Sequence, residues 1–580
     1  MSRPFISNSL AELTQLQVSD SSVDTQLAIL HELGYRKTKG ARNLATRIQE
    51  KLETTHRNID IELSLPNSEN KSKSNYVAEP TPAKPRQDFV NFTPSKPKFP
   101  LTSEQSEAVN LFGNDQTLKI TAFAGTGKTS TLVAMAGTTP KRGIYLAFNK
   151  SIATEAQSEF PSQTDCRTTH SVARRLVQSS YKFSNQKMFN KIGPKQLSEE
   201  LELKEKAISG KFTLNGVQQA HMILTTIKNY CQSEDDVISV KHVRESGRLL
   251  GLQKPEKLLL REWMTKSANS VWEMMSDVEN AIPLGHDGYL KIWSNSNPIF
   301  EHDYILLDEA QDTNPAVIRV LKKQSAQLIL VGDSHQQIYS WRGAVDAMES
   351  FSAKNETYLT QSFRFGKTLA DHASLVLKQL GESRQVTGND NIDTNVLVSG
   401  TPDSILTRTN SAVIEHTLSA IDQNKKPHIV GGTKETMQLI SAVYDLKKGI
   451  PASHPDFYGF STWDEVVEFA ETEEGEGLQA FVNLVQQYGE KKLYWALKSS
   501  ETDEVNADIV ISTAHKAKGR QWTSVQISDD FGSINSDDGK LPLEEIRLFY
   551  VAITRARESL IISPSLLGAY QSGKLPNDVK

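Results

Sequence analysis

The chain has 580 residues, 38% hydrophobic and 23% charged, and one hydrophobic core rarely outgrows about 250 to 300 residues, so two or more domains are expected. Its 65 basic and 70 acidic side chains leave a formal charge of −5, which excludes a polycation that coats nucleic acid and confines any such contact to a local groove. Cys166 and Cys231 are too few for a disulfide framework or a cysteine-based zinc site, and no stretch approaches the roughly 18 apolar residues of a membrane span. A protein of a reducing compartment is expected, cytoplasmic in a bacterium or phage and nuclear in a eukaryote.

Residues 1–64 carry helical periodicity in LAELTQLQ, VDTQLAILHELGYRK and ARNLATRIQEKLE, which predicts a small helical N-terminal module. Residues 65–98 read as a flexible linker, because prolines from Pro66 to Pro97 alternate there with Ser, Asn and Lys and leave too little apolar surface to offset the ordering entropy. After Leu101 the text runs strand, Gly-rich turn, helix, strand (TLKITAF, AGTGK, TSTLVAMA, GIYLAF), the order of a parallel α/β sheet. Residues 181–297 turn helical, and apolar strands return at DYILLDE, AQLILVGD, NADIVIST and SVQISD. The fold class expected is therefore α/β, with the sheet text in two separated blocks and a helical insertion between its parts.

The run from Ala122 to Thr129 follows one such strand and opens a helix, the setting a phosphate-binding loop requires. Gly125 and Gly127 let backbone N–H groups turn inward around a β-phosphate, and the helix adds its positive end. Lys128 then neutralises β- and γ-oxygens while the Thr129 hydroxyl ligates Mg²⁺. Ala122 stands where the general pattern has Gly. Asp308 and Glu309 end the strand YILL, at the carboxyl edge where α/β sheets bind ligands. Asp308 suits a second hold on Mg²⁺, and Glu309 suits the carboxylate that orients and deprotonates an attacking water.

From here the residues resemble the superfamily 1 DNA helicases of the UvrD/Rep type, over roughly residues 99 to 565. The run LTSEQSEA around Gln105 is similar to the family's Q motif, whose amide reads adenine. VGDSHQQIYSWRGA, from Val331 to Ala344, resembles its third motif, which assigns γ-phosphate sensing to Gln336 and base stacking to Tyr339 and Trp341, with Arg342 beside them on the DNA. LTQSFR and EEIRLFYVAITRA resemble the fourth and sixth motifs, and imply that Arg364 and Arg555 reach the γ-phosphate from a second motor domain. STAHKAKGRQW matches the fifth, with Gln521 where many relatives carry Glu, a swap that removes a charge from the implied ribose contact.

By the same resemblance the nucleotide is held by Gln105, Ala124, Gly125, Thr126, Gly127, Lys128, Thr129, Ser130, Phe363, Gly519 and Gln521. Single-stranded DNA falls to Phe148, Asn149, Thr169, His170, Tyr339, Trp341, Arg342, Thr513 and His515. The implied architecture is two RecA-like motor domains, the first from 99–180 and 298–350, the second from 351–449 and 501–575, with helical insertion 181–297 and a reduced accessory insertion 450–500. AFNK, PLGHDGYLK and HKAKGRQW lean toward the F-box DNA helicase branch, although residues 1–98 show no F-box. The implied activity is ATP- and Mg²⁺-dependent, 3′-to-5′ movement on single-stranded and forked DNA in repair, recombination or replication. The alternative is a translocase that strips proteins from single strands and unwinds little. A monomer in the absence of DNA is expected, and the N-terminal module is a candidate site for a protein partner.

Overall fold

In a computed structural model, residues 94–575 are described apart from 96, 115, 182, 209–212, 246, 341–342, 451, 453, 459, 473–474 and 533–538. Before residue 94 only Leu13, Ile29, Leu44 and Ile48 are described; each is helical and buried. The rest of the expected N-terminal module, most of the linker, and Trp341 and Arg342 lie outside the described residues. The chain divides into two compact units, and the one discussed below comprises Arg86–Lys206, Thr213–Leu252 and Arg261–Lys580. The other holds residues 1–85 with 207–212 and 253–260.

Two six-stranded parallel sheets organise the larger unit. The first contains β1 (Leu118–Ala122), β2 (Gly143–Ala147), β3 (Thr164–Thr168), β4 (Tyr304–Leu307), β5 (Gln327–Gly332) and β6 (Asn355–Leu359), in the spatial order β3-β2-β4-β5-β1-β6. The second contains β7 (Asn395–Leu397), β8 (Ser404–Thr407), β9 (Pro427–Ile429), β10 (Ile509–Thr513), β11 (Trp522–Ile527) and β12 (Ala556–Ile561), in the order β9-β10-β8-β11-β12-β7. Strands β4, β5, β8 and β10 are buried at every residue, as expected where helices cover both faces of a parallel sheet. This is the α/β class expected, in two RecA-like lobes.

Successive side chains of a strand point to opposite faces, so Ile405 and Leu406 enter different cores. Leu406, Val525, Ile527 and Leu560 pack with helices Lys367–Gln379, Leu543–Ile553 and Pro564–Ser572. Ile405, Ile429, Ile509 and Ile511 pack with helices from Asn410–Asp422 to Glu490–Lys498. First-lobe residues Phe123, Ala124 and Ile338 enter the former cluster beside Phe549 and Tyr550, so the two lobes share apolar core.

Three expectations are corrected. Strand β6 pairs with β1 from Leu118↔Asn355 to Ala122↔Leu359, so the first sheet continues past the boundary placed at residue 350. Helices Trp463–Ala470, Glu476–Tyr488 and Glu490–Lys498 share one core with β8, β9 and β10, so residues 450–500 are a covering layer of the second lobe rather than a separate insertion. The end of the linker is seated: Ser95 N–H donates to the Gly137 carbonyl at 3.1 Å. Residues 181–297 carry helices Gly216–Cys231 and Gly285–Asn295, and the Lys187 ammonium bonds the carbonyls of Met274 (3.1 Å), Asn280 (2.7 Å) and Ile282 (2.7 Å).

Candidate nucleotide and nucleic-acid sites

The chain leaves β1 into the phosphate loop, and helix Lys128–Ala136 starts at Gly127, whose φ of +76° is left-handed. Gly125 is also left-handed, at +78°. A Cβ on Gly125 would lie 2.6 Å from Ser362 Oγ and 2.7 Å from Arg364 Cβ, so glycine is required both by the turn and by the segment crossing above it. That segment is fastened by Phe363 N–H donating to the Gly125 carbonyl at 2.8 Å.

A cavity of about 490 Å³ opens over this loop, and its lining joins Lys128, Thr129, Asp308, Glu309 and Gln336 to Arg364, Gly519, Gln521 and Arg555. Carboxylates at the ends of β4 and β5 meet cations there. Lys128 Nζ lies 3.0 Å from Glu309 Oε1. Burial alone lowers the Lys128 pKa, yet the carboxylates of Glu309, Asp308 and Asp333 outweigh it and hold the ammonium above its usual range. Burial and the charge of Glu309 push Asp308 up. Its Oδ2 accepts from the Tyr145 hydroxyl at 2.7 Å and from Thr129 Oγ1 at 3.4 Å. Glu309 resists its burial because Lys128 and Lys518 hold it well below the usual carboxylate range. Its φ of +52° is left-handed, a strained backbone of the kind found where a side chain must be aimed.

Gln336 donates from Nε2 to Asp333 Oδ2 at 2.7 Å and accepts on Oε1 from Arg555 Nη2 at 3.4 Å. Arg555 is 2% exposed, and its other side-chain bonds run to the Val551 and Arg520 carbonyls and the Thr554 hydroxyl. Burial and the neighbouring charge of Arg364 push it down to about 9. Arg364 Nε donates to Gln521 Oε1 at 2.8 Å and Nη1 to the Thr554 carbonyl at 3.0 Å. Among the described residues neither arginine is ion-paired, and both line the cavity that also holds Lys128, an arrangement suited to a polyphosphate.

Gln521, expected at a ribose, instead positions Arg364. The amide of Gln105 is partly committed inside the protein, since Oε1 accepts from Thr102 N–H and Nε2 donates to Thr131 Oγ1, both at 3.1 Å. One proton and one lone pair of that amide are left for a base, beside a cavity of about 760 Å³ lined by Phe99, Pro100, Gln105, Gly127, Ser130 and Phe363. Ala124 and Thr126 are buried in the loop wall. Thr126 Oγ1 donates to the Phe123 carbonyl at 2.9 Å.

The expected DNA contacts divide. Phe148 is 53% exposed, and its ring is within 13° of parallel to Tyr339, with centroids 6.4 Å apart. The Tyr339 hydroxyl donates to the His515 carbonyl at 2.7 Å. Asn149 and Thr513 cap helices, Asn149 Oδ1 accepting from Ile152 N–H at 3.0 Å and Thr513 Oγ1 from Lys516 N–H at 3.4 Å; Thr513 is also buried, which argues against a strand contact through its side chain. Thr169 opens helix Thr169–Tyr181, and His170 Nε2 lies 3.9 Å from Asp287 Oδ1.

Sequence reasoning missed several site residues. Lys518 ion-pairs with Asp312, approaches Glu309 at 3.9 Å and donates to the Gln336 carbonyl at 2.7 Å. Tyr145, Asp333 and Tyr550 also bear on the site. All four stand inside the motif runs, and only their neighbours carried an obvious chemical signature.

Two parallel-sheet lobes, with a phosphate loop on one and a pair of unpaired arginines from the other, define a two-lobed P-loop protein. Residues 291–357 match the UvrD/REP helicase N-terminal domain and residues 460–566 the UvrD-like helicase C-terminal domain. Both matched segments are thus of UvrD-like helicase type. It is 32% identical over 559 residues to F-box DNA helicase 1 of Gallus gallus, an alignment covering 88% of this chain and 54% of the relative. It is 29% identical over 515 residues to F-box DNA helicase protein 1 of Schizosaccharomyces pombe, covering 81% and 58%. A probable DNA helicase of Mycoplasma pneumoniae is 30% identical over 274 residues, 45% of this chain and 43% of that one. The chain thus spans a little over half the length of the two F-box helicases it matches. No described helix is long and apolar enough to cross a membrane.

Proposed function

We propose that the protein hydrolyses ATP in the seam between its lobes and uses the cycle to move along single-stranded DNA and separate strands. The observation that carries this reading is the cavity shared by Lys128 and Glu309 of one lobe with Arg364 and Arg555 of the other. The loop N–H groups and Lys128 bind the β- and γ-phosphates. Glu309, held ionised, orients the attacking water and accepts its proton. Arg364 and Arg555 meet the charge that spreads over the γ-phosphoryl oxygens as its bond to the leaving oxygen breaks. Thr129 and Asp308 offer the hard oxygen ligands that Mg²⁺ requires, with phosphate oxygens and water completing its shell, and the metal would draw charge from the β- and γ-oxygens.

Because the cations come from both lobes, phosphate binding draws the lobes together and loss of the γ-phosphate releases them. That motion reaches DNA through Tyr339, which lies on the first lobe and bonds to His515 of the second. The exposed Phe148 ring, nearly parallel to Tyr339, offers a face on which an unpaired base can stack. Movement is 3′-to-5′ in this reading, on single-stranded and forked DNA, in repair, recombination or replication. Steady-state ATPase with and without oligonucleotide, together with unwinding of substrates tailed at either 3′ or 5′ ends, tests it. Hydrolysis indifferent to single-stranded DNA would refute it.

The packing of the described residues of 450–500 into the core of the second lobe favours a second reading, in which the motor strips proteins from single strands and separates duplex poorly. Displacement of a bound protein from a labelled strand, compared with fork unwinding at equal ATP turnover, distinguishes the two.

A further inference from the structure

Helices Lys434–Lys447 and Glu490–Lys498 lie side by side on the second lobe, burying Val443, Leu446, Leu493, Ala496 and Leu497 in a common core. Lys447 Nζ bonds Glu490 Oε2 at 2.6 Å across the pair. Their outer faces are unlike the rest of this mildly acidic chain. On the second helix Lys491, Tyr494, Trp495 and Lys498 are all exposed, and at 3.6 residues per turn they form one stripe opposite the buried residues. Trp495 is 66% exposed. Beside it, Tyr444 and Lys448 end the first helix, with Lys448 Nζ 4.0 Å from the Tyr444 ring centre. Glu490, next to Lys491 along the chain, is engaged by Lys447, while Asp445 and Glu501 stand three residues from Lys448 and Lys498.

Interleaved lysines and exposed aromatic rings have the chemistry of a single-strand platform, with ammonium groups following phosphates and rings stacking on bases of any sequence. A duplex hides its base faces in its own stack and gives Trp495 nothing to cover, so an unpaired strand suits the patch better. The patch is also separate from the motor's own strand contacts. Helix Lys434–Lys447 follows the turn where Gly431 abuts the Lys516 side chain, and its 14 residues carry the chain about 20 Å further.

We propose that this face is a second single-stranded DNA site, taking the strand displaced at a fork while the other strand runs through the motor. The proposal rests on the DNA-motor reading above. The test uses the full chain with the variants Trp495→Ala and Lys491→Glu/Lys498→Glu. Affinity is measured by fluorescence anisotropy on two forks alike in their loading tail, one with an additional unpaired thymidine arm on the displaced strand and one without. Each variant is expected to bind the two-armed fork about tenfold more weakly, with unchanged affinity for the one-armed fork. The lysine variant should also flatten the salt dependence of two-armed binding. Unchanged affinity for the two-armed fork would overturn the proposal and leave the patch as a protein contact, and equal losses on both forks would also overturn it. DNA-stimulated ATPase of the unaltered protein is recorded in parallel: its absence refutes the motor, whereas its presence with arm-independent binding refutes only the second site. All three positions are exposed, and thermal melting of each variant checks that the fold is kept.

Discussion

The backbone N–H of Ala124, in the phosphate loop of the first lobe, donates to the phenolic oxygen of Tyr550 in the second at 3.3 Å. Tyr550 is wholly buried, so this bond joins the nucleotide loop to helix Leu543–Ile553, which leads into Arg555. Tyr550→Phe leaves a buried N–H unpartnered, a loss of about 1 to 3 kcal/mol. It is expected to raise KM for ATP several-fold and to lower the melting temperature, read by steady-state kinetics and calorimetry.

Arg555→Ala removes a cation whose hydrogen-bond partners are an amide oxygen, two carbonyls and a hydroxyl. Its effect is expected in kcat, by about 10³-fold, with nucleotide binding changed little. Stopped-flow binding of a fluorescent nucleotide alongside turnover reads the two separately. A loss confined to binding would mean that Arg555 holds the ground state.

Gln521→Leu takes away the acceptor that aims Arg364 Nε. Misplacing a catalytic group by about 1 Å costs about 10²-fold, so kcat should fall by one to two orders of magnitude with little change in structure. Gln521→Glu places a carboxylate against the guanidinium and should reduce kcat as well, by cancelling its charge. ATPase assays of both variants check this.

Gly125→Ala must hold a left-handed φ and drive a methyl group into Ser362 and Arg364. The conformation alone costs about 1 to 2 kcal/mol. Turnover is expected to be lost while the lobes remain folded, since the collision lies at the seam and not in either core; circular dichroism and ATPase together show whether this is so.

His335 lies 3.0 Å from Asp333 and 3.8 Å from Glu382. Burial lowers its pKa, but the bond and charge of Asp333 outweigh this and raise it above 6.5. A histidine raised on folding contributes stability that is fully present below its unfolded pKa of about 6.5 and is lost as pH rises through the folded value. The stability gap between the wild type and His335→Gln is therefore expected to be widest below pH 6.5 and to narrow above it. Denaturant midpoints taken across that range measure the gap.

Much of this molecule was legible as text. The phosphate loop, Asp308-Glu309 and the apolar strands that carry them are local patterns, because a left-handed glycine, a helix start and a doubly buried strand each impose residue types over a few neighbouring positions. Resemblance to a known family then located Arg364 and Arg555, which no local rule would single out. What the text could not convey was contact between distant segments. Lys518, Tyr145 and Tyr550 look like ordinary members of apolar or basic runs until folding sets them against Asp312, Asp308 and Ala124. Gln521 changed its expected partner for the same reason, and Thr513 and Asn149 proved to be caps.

The amino-acid order by itself determined two parallel α/β sheets and a polyphosphate-binding turn, since periodicity and glycine placement act within a single element. Only the tertiary structure decided that β6 completes the first sheet, that residues 450–500 cover the second, and that the guanidinium groups of Arg364 and Arg555 share one cavity with Lys128. Those outcomes depend on which surfaces meet across hundreds of residues, where burial and charge are set by neighbours that the chain order does not name.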